Sequence, residues 1–158
     1  MREFRISAEP INTAALSREM QQSECGALVT FEGWVRNHNE GKAVLGLSYE
    51  TYDALCYSEA LKIMAEADQL WELRKILCVH RKGALGIGDV AVWVGVTAVH
   101  RGQAFDGCEF MIDQVKLRLP IWKLEHYEDG NREWVNCGEC EKHRHGSLAH
   151  SHGHEHWS

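Results

Sequence analysis

The stretch VAVWVGVTAVH (90–100) most constrains what this chain can fold into. It is apolar on both of its alternating faces. A strand with two apolar faces has to be covered on both sides, which predicts a central strand in a layered structure. Asn12 can cap a short helix, TAALSREMQQSE, that ends near Gly26. ALVTFEGWVR (27–36) is β-rich, NHNEGK (37–42) reads as a polar turn, and AVLGLSYETY (43–52) suits a strand with Leu45, Leu47 and Tyr49 on one face. Asp53 can cap the next helix, where Tyr57, Leu61, Met64, Ala67 and Trp71 recur as a core-facing stripe. KILCVHRKG (75–83) reads as a strand and ALGIGD (84–89) as a glycine-rich turn. That turn is no dinucleotide fingerprint, because the spacing of Gly83, Gly86 and Gly88 is wrong and a strand follows it. A helix from Gln103 to Leu119 is expected to bury Phe105, Cys108, Ile112, Val115 and Leu119, with Pro120 ending it. Segments 121–130 and 132–136 read as a terminal hairpin. This order of elements predicts a mixed α+β fold.

The 158 residues suit one domain, expected over 1–136, followed by a separate tail over 137–158. The tail, CGECEKHRHGSLAHSHGHEHWS, carries almost no periodic apolar pattern. Cys137, Cys140, His143 and His145 offer the ligand types of a tetrahedral zinc site, at spacing tighter than a zinc finger uses. Zinc or another divalent metal on this tail, and a mobile histidine-rich extension without one, are both open readings. The other four cysteines, Cys25, Cys56, Cys78 and Cys108, are scattered through apolar-patterned segments and read as small core residues. No apolar run of about 18 residues or more is present, so no membrane span is expected. The first residues lack a secretory pattern, and a cytoplasmic protein is the expectation. A net charge of −6 argues against general attraction to nucleic acid.

Against that acidic background, KLRLPIWK (116–123) carries three basic side chains and no acidic one. Such a patch needs either solvation or an anionic ligand. Arg36 and His38 follow a strand and can clamp a phosphate or carboxylate. His100 and Arg101 lie where a strand delivers the chain to a helix N-terminus, whose N–H groups favour an anion. Lys116 sits at the edge of a helix's apolar stripe. Lys123 comes back beside it if the Leu119-Pro120 corner reverses the chain. Read singly, each of these is an ordinary solvated charge, and His80 in its strand is an ordinary satisfied histidine.

Three segments change that balance. FEGWVRNHNEGK, LCVHRKGALGIGDVAVWVGVTAVHRGQAF and FMIDQVKLRLPIWKLE resemble, in order, the motifs of the molybdopterin synthase large-subunit family, and the likeness spans roughly residues 3–135. The resemblance implies an α/β-hammerhead-like fold with an antiparallel β sub-lobe. It implies transfer of sulfur from a small ubiquitin-like partner, carried as a C-terminal Gly-Gly thiocarboxylate, to cyclic pyranopterin monophosphate. The product is the dithiolene of molybdopterin, and no cofactor is required for catalysis. The implied assembly is a central dimer with one small partner at each end. Carried across, Lys116 meets the thiocarboxylate and Lys123 assists with protons or orientation. Arg36, His100 and Arg101 hold the substrate, some of them across the dimer interface, with Arg118 and Glu125 as supporting groups. A cysteine relay is not needed, because the sulfur arrives preloaded. Alternatives on the same scaffold are a non-catalytic partner-binding module or a metal-handling protein.

Overall fold

The computed structural model describes residues 1–136, arranged as two β-sheets and three helices. The first sheet holds β1 (Arg2–Ser7), β5 (Leu73–Arg81), β7 (Val90–Ala98) and β2 (Ala27–Trp34) in that spatial order. Only β1 and β5 are parallel; the other neighbours are antiparallel. The second sheet holds β3 (His38–Asn39), β4 (Lys42–Thr51), β8 (Ile121–Tyr127) and β9 (Arg132–Asn136), with β6 (Gly83–Gly86) paired to β4. Helix α1 (Thr13–Met20) lies against one face of the first sheet, and α2 (Asp53–Leu70) and α3 (Arg101–Arg118) against the other. This is the expected α+β class, with an antiparallel sub-lobe attached to a helix-covered sheet.

The run at 90–100 is the covered strand its pattern requires. Val92, Val94, Val96 and Ala98 enter the main core with α2 and α3, while Trp93 turns the other way into a cluster with Leu16, Met20, Leu77 and Val79. Burying aliphatic side chains of this size stabilises a fold by about 1.5–3 kcal/mol each, before entropy is counted. Gly95 is the complement of Trp93. A methyl group there would come within 2.7 Å of Trp93 Cζ3 and closer still to Cη2, so the indole lies over a position that has to be empty.

Most of the expected stripes are buried: Met64 and Ala67 in α2, and Cys108, Ile112, Val115 and Leu119 along α3; the large N-terminal members Leu61 and Phe105 are not. In α2 the buried face is Cys56, Ala60, Ile63, Met64 and Ala67; Leu61 is 51% exposed. Tyr57 is also exposed, although its hydroxyl accepts a hydrogen bond from the Ile6 N–H and its ring meets Phe4 edge-on. In α3 the buried face is Ala104, Gly107, Cys108, Met111, Ile112 and Val115, with Phe105 58% exposed. Small residues let these helices approach closely. A Cβ at Gly107 would lie 2.8 Å from Leu73 Cδ1 and 3.3 Å from Val96 Cγ1. A stripe drawn through the largest side chains misses a face built on alanine and glycine.

Other differences have local causes. Asp53 is the first residue of α2, and Tyr52 is its N-cap; the Asp53 carboxylate instead accepts from Thr51 Oγ1 and Lys82 Nζ. Leu45 is exposed while Val44 and Leu47 are buried, because the β4–β8 register shifts between Val44 and Gly46 and resets which residues face inward. Helix α1 stops at Met20, and α3 begins at Arg101, two residues before the expected start. β1 and β6 are strands that the sequence pattern does not announce. β6 borrows its pairing from β4, with Tyr49 opposite Gly83.

Replacing Gly95 by alanine should destabilise the protein by about 1–3 kcal/mol, the cost of forcing an overpacked core to shift. Urea unfolding checks this. An unchanged midpoint would mean that Trp93 is free to move aside.

Candidate active site

The two lysines meet at the seam between the sheets. Helix α3 ends at Arg118, and Leu119 is extended (φ −73°, ψ 134°), as a residue before proline prefers. Pro120 turns the chain, its carbonyl accepts from the Tyr52 N–H, and β8 then runs back along β4. In that register Lys123 lies opposite Tyr49 and Glu125 opposite Leu47. The reversal places Lys123 in a cavity of about 130 Å³ whose lining also includes Lys116, Arg36, His38, Tyr49 and Glu125.

Arg36 reaches the same cavity because its segment is pinned on both sides. The Val35 N–H donates to the Asp89 carbonyl, the Val35 carbonyl accepts from the Gly88 N–H, and the Asn37 carbonyl accepts from the Val44 N–H. The Asn39–Lys42 reversal is a two-residue hairpin in which Glu40 (φ 50°) and Gly41 (φ 78°) are both left-handed, as a type I′ turn requires. That hairpin sets Asn39 over the cavity floor.

The floor is a buried carboxylate. Glu125, 3% exposed, accepts from Tyr127 Oη (2.6 Å) and Asn39 Nδ2 (2.8 Å), and pairs with Lys123 Nζ at 2.9 Å. Burial alone would raise its pKa, but these hydrogen bonds and the Lys123 charge outweigh burial and hold it below the usual glutamate value. The Tyr127 phenol is pushed up to about 12 by burial and by the carboxylate it donates to. Lys123 is therefore held in place by a carboxylate that stays ionised.

Lys116 has different neighbours. It also borders a smaller inner cavity of about 60 Å³, lined by His80, Tyr49, Trp34 and apolar residues of β7, α3 and β8. The His80 ring is buried, meets the Tyr49 ring edge-on at 4.9 Å, and places Nδ1 2.7 Å from the Arg81 carbonyl. Burial lowers its pKa to about 4; the Arg81 contact opposes that fall and the Lys116 charge adds to it.

The remaining anticipated groups lie elsewhere. Arg118 clasps α2, with Nε 2.8 Å from Glu59 Oε1 and Nη1 2.6 Å from Glu66 Oε2; it does not line the lysine cavity. His100 caps α3 with its backbone and is exposed. Arg101 lines a separate groove with Val29, Phe31, Phe105 and Ile112. Within one chain, then, Lys116, Lys123, Arg36 and Glu125 converge, while His100 and Arg101 stand apart. Sequence reasoning did not single out Tyr49, Asn39, Tyr127 or His80 as part of the site. Asn39 and His80 do fall inside the quoted motifs. Cys56 and Cys108 are buried thiols pushed up to about 11 and about 12 by desolvation, and Cys78 is pushed up as well, so they are poor sulfur carriers at neutral pH. Cys137, Cys140, His143 and His145 lie outside the described residues.

Together these features define an α+β protein with a basic, half-enclosed cavity at the junction of two sheets. Residues 6–118 match the family model described as MoaE protein. The chain is 41% identical over 139 residues to the molybdopterin synthase catalytic subunit of Synechococcus elongatus, covering 85% of this chain and 84% of that one. Its structure is similar to that of molybdopterin synthase from Staphylococcus aureus, with a TM-score of 0.79 and 34% identity over 85% of this chain and 98% of the other. A complex of subunits 1 and 2 of the molybdopterin-converting factor from Helicobacter pylori shares the fold at a TM-score of 0.70 and 24% identity, over 84% and 89% of the two chains. The chain belongs to the MoaE family, that of the molybdopterin synthase catalytic subunits.

The His80 environment has a measurable consequence for stability. Its folded pKa lies below its unfolded value of about 6.5, so below that pH the unfolded chain binds more protons and stability falls as pH drops toward 4. Between pH 6.5 and 5 this costs on the order of 2 kcal/mol. Urea midpoints should therefore fall more steeply over that interval in the natural chain than in His80→Gln. Parallel slopes would show that the ring titrates normally.

Proposed function

We propose that this chain is a sulfurtransferase, the catalytic subunit that moves sulfur from a small partner's C-terminal thiocarboxylate onto cyclic pyranopterin monophosphate, building the dithiolene of molybdopterin. The observation that carries this reading is the convergence of Lys116, Lys123 and Arg36 on one cavity whose only carboxylate, Glu125, is already engaged by Lys123. An extended Gly-Gly tail is slim enough to enter such a cleft. Lys116 neutralises the thiocarboxylate there and stabilises the charge that develops as the acyl–sulfur bond breaks. Lys123, held by Glu125, orients the substrate, and Arg36 contacts its phosphate. Catalysis in this reading calls on no cofactor.

His100 and Arg101 complete the site when a second copy supplies them. Their groove is apolar on one side, through Val29, Phe31, Phe105 and Ile112, and lies beside β2, the edge strand of its sheet. An apolar groove next to an open strand edge suits self-association, and in a two-fold dimer each chain lends its loop to the other's cavity. The small subunit then docks at the lysine cavity of each half. The proposed reaction takes place in the cytoplasm; no helix among the described residues is long and apolar enough to cross a membrane.

Lys116→Ala should keep the fold and lose at least about a hundredfold in dithiolene formation, measured with a thiocarboxylated partner and the cyclic phosphate. Near-normal turnover would sink the assignment. Mixing Lys116→Ala with Arg101→Ala chains should restore roughly a quarter of wild-type activity, because half of the random dimers carry one intact site of two.

The segment 137–158 is a separate extension in this reading, and zinc or another divalent metal on Cys137, Cys140, His143 and His145 would serve something other than sulfur transfer. Truncation after Val135 should leave turnover unchanged. The full chain, purified without a metal column, should then be analysed for metal. Less than about a tenth of an equivalent of bound metal counts against a built site.

A further inference from the structure

The smaller cavity that borders Lys116 adjoins the basic cavity, sharing Trp34, Tyr49 and Lys116 with it, and holds the imidazole of His80 among mostly apolar walls. Besides Lys116 and His80 its lining is Trp34, Tyr49 and small or apolar residues of β2, β7, α3 and β8, with no carboxylate among them. His80 reaches it from β5, the strand whose Ile76 and Cys78 face the same core. A carbonyl oxygen can only accept, so the 2.7 Å contact with the Arg81 carbonyl puts the proton on Nδ1. In the neutral ring the other nitrogen, Nε2, is then a bare acceptor. The edge-on Tyr49 ring fixes the tilt of the imidazole, and the strand fixes its position. An ammonium group carries three donors and is costly to leave half-buried without acceptors. A cavity of about 60 Å³ also has room for a bridging water.

We propose that His80 is a positioning residue for the reaction, its Nε2 accepting a hydrogen bond from the Lys116 ammonium, directly or through one water in the inner cavity. The role rests on the reading of Lys116 as catalytic and extends it by one residue. An uncharged acceptor does what a carboxylate there could not. It holds the amine in place without cancelling the charge that an incoming anion has to meet. Burial keeps the ring in that neutral form well below the pH at which an exposed histidine would protonate. Lys123 shows the contrasting arrangement, in which a carboxylate holds the amine and compensates it.

Two variants and one spectroscopic measurement test the proposal. His80→Phe keeps the apolar bulk and removes the acceptor. His80→Gln places an amide oxygen near the Nε2 position. With the thiocarboxylated partner and the cyclic phosphate, His80→Phe should lose about tenfold or more in kcat, as expected for a hydrogen bond to a charged group, with KM little changed. His80→Gln should recover most of that loss. Independently of activity, ¹⁵N NMR of the full-length chain should show a protonated Nδ1 and a hydrogen-bonded Nε2 at neutral pH, the signals being assigned by their loss in His80→Gln. In Lys116→Met the Nε2 resonance should move toward that of a free acceptor. An unmoved resonance overturns the proposal, as does a well-folded His80→Phe with wild-type kcat or a His80→Gln no better than His80→Phe. None of these results touches the sulfur-transfer reading. That reading fails on its own if the natural chain makes no dithiolene while the ¹⁵N response to Lys116→Met is intact.

Discussion

The structure depends on burying β7 on both faces at once. Trp93 commits one face to α1, and the valines at 92, 94 and 96 commit the other to α2 and α3. Because the first half of the buried α3 face is Ala104, Gly107 and Cys108, with Met111, Ile112 and Val115 following, the helix lies close to the sheet at Gly107 and has little freedom to roll. Its rotation decides where Lys116 points. A helix set by bulky side chains would stand farther off and could be repacked at modest cost, whereas one seated on glycine and alanine tolerates almost no change. Lys116 therefore takes its position from the core and not from the surface around it.

The second sheet supplies the rest by register. Pro120 stops the helix and returns the chain antiparallel to β4, and the alternation of β8 then delivers Lys123 and Glu125 to the side that Lys116 already faces. β6, though only Gly83–Gly86, pairs with the same strand and closes the other side of Tyr49. The hairpin carrying Asn39 adds the last donor to the Glu125 carboxylate. Segments distant in sequence thus meet through strand pairing beside the end of α3.

Much of this was legible beforehand, and the part that was not has a physical pattern. The covered strand, the proline corner and the basic patch were readable because each is a local rule: two apolar faces, a proline that ends a helix, a charge excess against the trend. Most of the helix faces are legible too, through Met64, Ala67, Cys108, Ile112, Val115 and Leu119, but Leu61 and Phe105 outweigh Ala60 and Gly107 on any hydrophobic scale while packing distance favours the small residues. β1 and β6 were missed because their pairing partners lie far away in sequence. Arg118 looked like a member of the basic patch, yet Glu59 and Glu66 on another helix claim it. The grouping of Arg36 with the lysines follows from the motif resemblance, and the separation of His100 and Arg101 from them is visible only in three dimensions.

The two lysines end up in opposite electrostatic settings, and this bears on how one cavity can handle two anionic groups. Lys123 meets a carboxylate that three donors keep ionised, so much of its field is spent inside the protein. The inner cavity beneath Lys116 offers an imidazole that burial keeps neutral, together with aromatic and apolar walls, and none of these opposes its charge. An anion entering the outer cavity therefore finds the stronger attraction at Lys116 and a more rigid but weaker one at Lys123. In the sulfur transfer proposed above, the thiocarboxylate gains most from the first, because its charge is redistributed as its bond to carbon breaks. In the same proposal the second serves to orient the substrate. Exchanging the two environments would leave the same residues in place and lose the distinction between them.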